Sequence, residues 1–535
     1  MQFNLADLLE CVADTVPGNL ALVCDDRRLT FGEFDERATR LAHALAERGV
    51  RAGDHVALYL YNSTEYLEAM FAAFKLRAVP INVNYRYVED ELEYLLADAD
   101  AVAILYHDEF AAKVEALCTR LPKLGTLLPL ADYEATLAAA SSERDFGERS
   151  AGDLYILYTG GTTGMPKGVM WRHEDLFFGA MGGAGGRAAA IERPEQIAER
   201  CLDARTRCVP ACPFMHGTAH WMAFSSLFLG GAVVIPAEHR LDALALWQLI
   251  EREQANFLVI VGDAFARPLL DALDSPEGRA LDVSCLRVLL SGGAILSPVL
   301  KRALIERLPA LLVVDAYGAS ETGGQGQSVV VSGGEIPDAS IFRVGDDTQV
   351  VGDDLRPVAP GTVGRIARRG RIPLGYYNDP DKSAATFPVV DGVRWAVPGD
   401  HAVVDDDGVI TLLGRGSVSI NTGGEKVYPE EVESVLKAHS AVVDAVVVGV
   451  PDARWGQRVV AVVQAGRAPA PTLAALQDHA RAHLAGYKVP RDLVLVDAVV
   501  RSPSGKPDYR WARRIADAAD AAETIADATP DTVRP

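Results

Sequence analysis

The sequence predicts an α/β protein with a large N-terminal domain of parallel-rich sheets and packed helices, followed by a small α+β domain. Two stretches, 28–84 and 242–320, alternate short Val/Leu/Ile runs with segments of helical period. This order is typical of parallel sheets covered by helices. After the hairpin-like turn DDDGVITLLGRGS (405–417) comes an amphipathic helix with valine-rich strands. We predict domains at 1–416 and 417–514 and a frayed or disordered tail at 515–535.

The first β-α-β stretch can be assigned element by element. Thr30 and Glu33 form a capping box that predicts the start of a helix, and Gly49 predicts its end. A strand, a helix and a second strand are predicted at HVALYL (55–60), STEYLEAMFAAFK (63–75) and AVPINVN (78–84). Between 242 and 320 each predicted strand ends in glycine, where open α/β sheets present ligands.

Charge and cysteine content argue against two classes of protein. With 52 Lys and Arg against 73 Asp and Glu, the formal net charge is −21. No nucleic-acid partner is expected, because phosphate backbones require clustered cations. The seven cysteines are scattered and odd in number, which favours a reducing compartment over a disulfide framework.

The distribution of apolar residues gives no sign of a targeting or membrane segment. Residues 1–16 lack a basic start, and prolines and glycines interrupt the longest uncharged stretch, 209–237. We therefore expect neither a signal peptide nor a transmembrane helix. The expected location is cytoplasmic, while a weak peripheral membrane contact and a homodimer both stay open.

A glycine-rich loop, YTGGTTGMPKG (158–168), follows the predicted strand LYILYT (154–159). Its glycines and hydroxyls would let backbone and side-chain donors surround phosphate oxygens. A P-loop requires a Gly-Lys pair followed by Ser or Thr. Here Pro166 precedes Lys167 and Gly168 follows it, so the kinase or ATPase interpretation fails on spacing.

Four further motifs follow this loop along the chain: SGGAIL (291–296), YGASETG (317–323), PGD (398–400) with GRGSVSINTGGEKVYPEEVE (414–433), and PSGKPDYR (503–510). Together they resemble the adenylate-forming superfamily of acyl-CoA synthetases, nonribosomal adenylation domains and luciferases. The family's loop usually reads YTSGTTGxPKG, so Gly160 replaces a serine. The resemblance covers about residues 1–512. It also implies a small β-barrel-like part in the large domain and a mobile small domain.

The resemblance implies a two-step reaction that uses ATP, Mg²⁺ and coenzyme A. A carboxylate attacks the α-phosphate of ATP to give acyl-AMP and pyrophosphate, and a thiol then attacks the acyl carbon. The implied catalytic residues are Lys506, which bridges carboxylate and α-phosphate, His216 near the carboxyl group, and Lys167 as a pyrophosphate clamp. The implied ATP- and AMP-binding residues are Thr159, Gly160, Gly161, Thr162, Thr163, Gly164, Lys167, Gly292, Gly293, Ala294, Ala316, Tyr317, Gly318, Ala319, Ser320, Glu321, Asp400, Arg415 and Lys506.

Within this set, the resemblance assigns separate roles to metal, adenine and ribose contacts. Glu321 and Thr163 would hold Mg²⁺, which prefers oxygen ligands. Adenine would stack on Tyr317, and Asp400 with Arg415 would bind the ribose hydroxyls. Taken alone, Glu321 also fits a surface or N-capping position, and Asp400 also fits a turn.

The resemblance implies a hinge and a path for the thiol. Because Lys506 serves only the first step, the small domain is expected to swing about Ser417, where relatives usually carry Asp or Lys. The hinge prediction therefore depends on position and not on the side chain. CoA would approach along Gly423, Gly424 and Lys426, although Lys426 fits a solvated surface equally well.

The implied acyl pocket consists of Phe214, Met215, His216, Trp221 and Gly323, and Met222 and Phe224 fit either its wall or a plain core. Nonribosomal adenylation domains commonly carry an aspartate where this chain has Met215-His216, which favours an acid without an α-amine. The combination of MWRHED (170–175), the 414–433 segment and AGYKVPR (485–491) resembles actinobacterial synthetases of long-chain or steroid side-chain acids.

Three other interpretations concern a zinc site, a carrier-protein acceptor and nucleotide binding without catalysis. Cys208, Cys212, His216 and His220 are spaced as zinc ligands on a helix would be, but the prolines between them prevent one continuous helix, so zinc is not expected. An acyl-AMP ligase that loads a carrier protein and a non-catalytic nucleotide-binding relative stay open as alternatives to a CoA ligase.

Overall fold

The computed structural model describes residues 1–160, 165–183, 190–202, 205–337, 341–422, 425–452, 455–466, 469–502 and 505–527, with the backbone alone for 415, 417 and 521–527. The helices of these residues are α1 (Leu5–Thr15), α2 (Phe31–Glu47), α3 (Thr64–Lys75), α4 (Glu89–Asp98), α5 (Ala111–Cys118), α6 (Tyr133–Ala139), α7 (His173–Ala180), α8 (Ile197–Arg200), α9 (Gly217–Phe228), α10 (Ala243–Glu253), α11 (Gly262–Leu273), α12 (Pro276–Arg279), α13 (Pro298–Arg307), α14 (Pro380–Thr386), α15 (Pro429–Lys437), α16 (Leu473–Arg481) and α17 (Tyr509–Asp527).

The strands of the described residues are β1 (Leu20–Cys24), β2 (Arg27–Thr30), β3 (His55–Tyr59), β4 (Val79–Asn82), β5 (Ala101–Tyr106), β6 (Thr126–Pro129), β7 (Leu154–Thr159), β8 (Lys167–Arg172), β9 (Arg207–Pro210), β10 (Ala232–Ile235), β11 (Phe257–Ile260), β12 (Val288–Gly292), β13 (Leu312–Ala319), β14 (Gly323–Val330), β15 (Ile341–Val344), β16 (Thr348–Val351), β17 (Val363–Arg369), β18 (Gly375–Tyr376), β19 (Val389–Val390), β20 (Val393–Ala396), β21 (Asp400–Val404), β22 (Val409–Arg415), β23 (Ile420–Thr422), β24 (Glu425–Val427), β25 (Val442–Asp452), β26 (Gly456–Ala465) and β27 (Asp492–Val496).

Local sequence explains where these elements begin. At the start of α2, the Thr30 backbone N–H donates to the Glu33 carboxylate over 2.8 Å, and the Thr30 hydroxyl accepts from the Glu33 N–H. The predicted capping box is therefore confirmed. The helix ends at Glu47, and Gly49 follows with φ +99°, a conformation that glycine adopts without strain.

Two sheets carry the larger part of the described chain. The first runs β19-β20-β17-β21-β22-β15-β14-β13-β12-β11-β9-β10-β1-β2, with β16 beside β17. It is parallel from β13 to β1, which confirms the predicted β-α-β order of 242–320. The second runs β18-β8-β7-β4-β3-β5-β6 and is parallel from β7 to β6.

Beyond β13 the first sheet continues as antiparallel strands with a core of their own. That core consists of Tyr317, Phe342, Val350, Ile366, Ala402 and Ile410. The small β-barrel-like part that the resemblance implies was given no position in the sequence, and it stays a prediction. The predicted hairpin around 405–417 is confirmed by the antiparallel pairing of β21 with β22.

A third sheet, β24-β23-β26-β25 with β27 beside β26, forms the small C-terminal unit. Buried residues of α15 and α16, such as Val432 and Leu476, pack in one cluster, and Ala512 and Ala516 of α17 pack in another. Each cluster draws its described residues from position 420 onward. The boundary at 416/417 stays a prediction.

The C-terminal helix corrects one expectation. Ala512 and Ala516 bury one face of the first turns of α17 beside the strands, and the helix extends to Asp527. The prediction of a frayed or disordered tail is therefore wrong for residues 515–527, while 528–535 lie outside the described residues.

The uncharged stretch 209–237 folds as the end of β9, α9 and β10, within the main core. In the part of the chain that the structure describes, every helix is too short or too polar to cross a membrane.

Candidate active site

A cavity of about 430 Å³ lies where the two parallel sheets meet the C-terminal unit. The carboxyl ends of β7, β12 and β13 reach its wall, which is the edge where open α/β sheets bind ligands. The predicted site residues on this wall are Thr159, Gly160, Met215, His216, Trp221, Gly292, Gly293, Ala316, Tyr317, Gly318, Ala319, Ser320, Gly323 and Lys506.

Asn82, at the end of β4, joins the two sheets at the cavity. Its amide nitrogen donates to the carbonyls of Tyr158 and Met215 over 2.7 Å each, and its oxygen accepts from the Tyr158 N–H over 2.7 Å. The glycine loop and the predicted acyl segment are thus held together by one buried amide. Sequence reasoning missed this residue; the one available signal is a polar residue at the end of an apolar strand.

The predicted adenine and ribose residues meet at the ends of β13 and β21. The Tyr317 hydroxyl donates to Oδ2 of Asp400 over 2.8 Å, and Asp400 is 7% exposed. Asp400 therefore lies behind Tyr317 and not on the cavity wall. Strand pairing places Arg415 opposite Asp400, while the side chain of Arg415 lies outside the described set.

Lys167 lies near the end of the glycine-rich loop and begins β8. Its Nζ lies 2.6 Å from Oδ2 of Asp379, and this hydrogen bond lowers the pKa of the Asp379 carboxyl. The same ammonium lies 5.6 Å from the centroid of the Tyr376 ring. The Tyr376 hydroxyl in turn donates to Oε1 of Glu321 over 2.9 Å. The predicted clamp lysine and the predicted metal ligand therefore contact the same tyrosine.

The loop that carries Lys506 is braced inside the C-terminal unit. Arg501 makes a two-point contact with Asp444, at 2.6 and 2.7 Å, and donates to the Gly505 carbonyl over 2.8 Å. The backbone N–H of Ser502 donates to the Lys506 carbonyl over 2.8 Å. Lys506 and Arg501 both line the cavity, so a residue from the small unit completes a site built by the large one.

His216 lies on the cavity wall in its neutral form. Burial, together with the nearby charge of Lys506, lowers the pKa of His216 to about 3. Its buried Nε2 has no hydrogen-bond partner among the described residues. A buried polar atom without a partner is costly, and this one is available to a ligand in the cavity.

The wall near α9 and β14 is apolar and closely packed. Trp221 and Met222 line it, as do Gly323 and Gly324. Gly323 has φ +68°, and a Cβ there would lie 2.5 Å from the Gly179 carbonyl. A larger residue at position 323 would therefore push α7 away from β14.

Phe214 is not on the wall, contrary to its assignment to the acyl pocket. It is fully buried, its ring centroid lies 5.6 Å from that of Tyr66, and its carbonyl is 2.7 Å from Nδ1 of His220. Phe224 is likewise a core residue, with its ring 5.0 Å from that of Phe71.

The four side chains with the spacing of zinc ligands differ in their surroundings. His220 contacts the Phe214 carbonyl with one ring nitrogen and the Tyr155 hydroxyl with the other. Burial raises the pKa of the Cys212 thiol to about 12 and that of Cys208 further. Among the described residues, no group of three or more metal-binding side chains is found.

Several predicted residues lie elsewhere. Lys167, Ala294, Glu321, Asp400 and Lys426 are described but do not line the cavity. Ser417 lies in the short turn Gly416–Val418 between β22 and β23. Outside the described residues lie Gly161, Thr162, Thr163, Gly164, Gly423 and Gly424. The structure adds Asn82, Thr218 and Arg501 to the wall; Arg501 precedes the PSGKPDYR motif and could have been found there.

Comparison with solved structures supports this architecture. ATP-bound MatB from Rhodopseudomonas palustris superposes with a TM-score of 0.81 at 26% identity, over 95% of this chain and 98% of that one. The anthranilate CoA ligase AuaEII, in complex with anthranoyl-AMP, shares the fold with a TM-score of 0.85 at 24% identity, over 97% and 98% of the chains.

Sequence comparison extends over nearly the whole chain. It is 46% identical to a 3-oxocholest-4-en-26-oate–CoA ligase from Rhodococcus rhodochrous, over 96% of both chains. It is 45% identical to a medium/long-chain-fatty-acid–CoA/3-oxocholest-4-en-26-oate–CoA ligase from Mycobacterium tuberculosis (strain ATCC 25618 / H37Rv), over 95% of both. Residues 9–377 match the model of the AMP-binding enzyme family, and 431–506 match that of the AMP-binding enzyme C-terminal domain. The chain is an enzyme that belongs to the AMP-binding family.

Proposed function

We propose that this enzyme is an ATP-dependent, AMP-forming acyl-CoA ligase for large hydrophobic carboxylic acids, either long-chain fatty acids or acids of steroid side chains. The observation that carries the proposal is that Lys506 reaches one cavity together with Gly160, Tyr317 and His216. Relatives at 45–46% identity are named as ligases of such acids, and the apolar wall of the cavity suits them.

In the first step, the substrate carboxylate attacks the α-phosphorus of ATP, and the bond to the pyrophosphate oxygen breaks. The ammonium of Lys506 would offset negative charge on the carboxylate and the α-phosphate, which is the main demand of phosphoryl chemistry. Neutral His216 would donate from Nε2 to a carboxylate oxygen without adding a second cation. Lys167, withdrawn from Asp379, would hold the departing pyrophosphate.

Magnesium would be held beside the cavity, because Glu321 does not line its wall. It would neutralise charge on the phosphates, and the half-buried Glu321, with one oxygen held by Tyr376, provides the hard carboxylate oxygen that it prefers. In the second step, the CoA sulfur attacks the acyl carbon and AMP leaves. A cytoplasmic location is part of the proposal, supported by seven unpaired cysteines.

The test is an acid panel with three readouts on purified protein: pyrophosphate release, AMP release with and without CoA, and thioester by mass. Long-chain and steroid side-chain acids should give CoA thioester with equal amounts of AMP and pyrophosphate. Acyl-AMP without CoA-dependent AMP release would support the acyl-AMP ligase instead. If no acid causes release of pyrophosphate, the result would support a non-catalytic nucleotide-binding protein. The Lys506→Ala variant serves as the negative control for acyl-AMP formation.

A further inference from the structure

Asp263, at the start of α11, contacts both parts of the molecule. Its Oδ1 accepts from the Ser297 N–H over 2.7 Å, at the end of the predicted adenine segment. Its Oδ2 lies 3.4 Å from Nζ of Lys437, at the end of α15 in the C-terminal unit. The side chains are only 9% and 6% exposed, so this ion pair crosses the interface out of water.

The same segment of the large domain supports the loop that carries Lys506. Gly505 has φ +72°, and a Cβ there would lie 3.0 Å from the Val261 carbonyl and 3.6 Å from the Cβ of Ala264. Residues 261–264 therefore contact the small unit twice. Val261 and Ala264 pack against the loop that carries Lys506, and Asp263 forms an ion pair with Lys437 at the end of α15. Both contacts exist only while the small unit occupies its present position.

Two neighbouring cations form ion pairs within their own units. Lys301 pairs with Asp315 over 2.6 Å inside the large domain, and Arg501 pairs with Asp444 inside the small one. Burial raises the pKa of the neighbouring Glu433, which disfavours its charged form. Lys437 also acts on two carboxylates of its own unit, since its charge favours the ionised forms of Glu433 and Asp444. Its ion pair with Asp263 is the contact that crosses the interface.

We propose that Asp263 and Lys437 are positioning residues, a latch that holds the small domain where Lys506 reaches the cavity. The inference rests on the proposed function. The latch favours the first half-reaction, and when the small domain swings away both groups regain water. Breaking the pair should therefore lower the population competent for adenylation without penalising the state that transfers the acyl group to CoA.

The test uses Asp263→Asn, which retains an acceptor for the Ser297 N–H, and Lys437→Met, each in the full chain. Acyl-AMP formation is measured in a single turnover, and thioester formation is measured separately from supplied acyl-AMP and CoA. We expect the first rate to fall about tenfold, within the usual range of coupling between sites, and the second to stay unchanged or rise. The control is Lys488→Met, which breaks the 2.6 Å pair with Glu431 inside the small unit and should spare both rates.

A double variant tests whether Asp263 and Lys437 act through their mutual contact or affect adenylation independently. If the pair acts as one unit, Asp263→Asn with Lys437→Met should slow adenylation no more than either single change. Additive losses, or equal losses in both half-reactions of folded variants, would overturn the latch. A wild-type enzyme that makes no acyl-CoA would instead refute the proposed function.

Discussion

The hydroxyl of Tyr376 lies 2.9 Å from Oε1 of Glu321, while the ring of the same tyrosine lies 5.6 Å from Nζ of Lys167. Tyr376 belongs to β18 of the second sheet, and Glu321 lies in the turn that joins β13 to β14 of the first. One side chain thus links the two groups proposed to hold the charged end of ATP, across the boundary between sheets.

Tyr376→Phe should raise the Mg²⁺ concentration needed for half-maximal pyrophosphate release about tenfold, because a hydrogen bond to a charged carboxylate is worth roughly 1.5–3 kcal/mol. A magnesium titration at saturating ATP and acid measures this. Tyr377→Phe is the matched control, since its hydroxyl donates to Asp100 over 3.1 Å, away from Glu321. An unchanged magnesium requirement in Tyr376→Phe would remove Glu321 from the proposed metal site.

Lys506→Ala should reduce acyl-AMP formation by roughly 10²–10³, the usual loss for one positioned donor, and leave thioester formation from supplied acyl-AMP largely intact. Separate assays of the two half-reactions check this. A parallel fall in both rates would contradict the proposed role of Lys506.

Ser417→Pro should slow thioester formation more than acyl-AMP formation, because proline fixes φ at the turn about which the small domain is proposed to swing. The same pair of assays applies. If both steps slow equally, rotation about residue 417 does not limit the second step.

Acid should destabilise the large domain through three buried histidines. Burial lowers the pKa of His173 and His220 to about 4 and that of His216 to about 3, against about 6.5 in an unfolded chain. The unfolded state then binds more protons, so the stability is complete above about pH 6.5 and falls as the pH drops toward 4.

Each histidine contributes up to about 1.4 kcal/mol per pH unit within that window. His173→Asn keeps an acceptor for the Leu5 N–H, which now donates to Nδ1 over 3.2 Å, and removes the titration. Urea unfolding between pH 7 and 4 should show a slope smaller by about that amount. An unaltered slope would mean that His173 is already charged in the fold.

Motifs and alternation in the sequence were enough to predict the family, the α/β class and fourteen of the residues that line the cavity. These features are local: a glycine loop after a strand, or a capping box at Thr30, requires only neighbours in the chain. The assignment of Tyr317 and Lys506 to the proposed site rested on such local patterns, recognised by resemblance.

Only the tertiary structure decided which distant residues hold those motifs in place. Asn82 acts by bridging Tyr158 and Met215, and Asp263 by meeting Lys437, and neither contact leaves a local trace in the chain. The predictions for Phe214 and for the tail at 515–527 failed for the same reason. Burial against distant elements decides whether an aromatic ring faces a cavity or the core. It also decides whether an Ala/Asp-rich segment is helical.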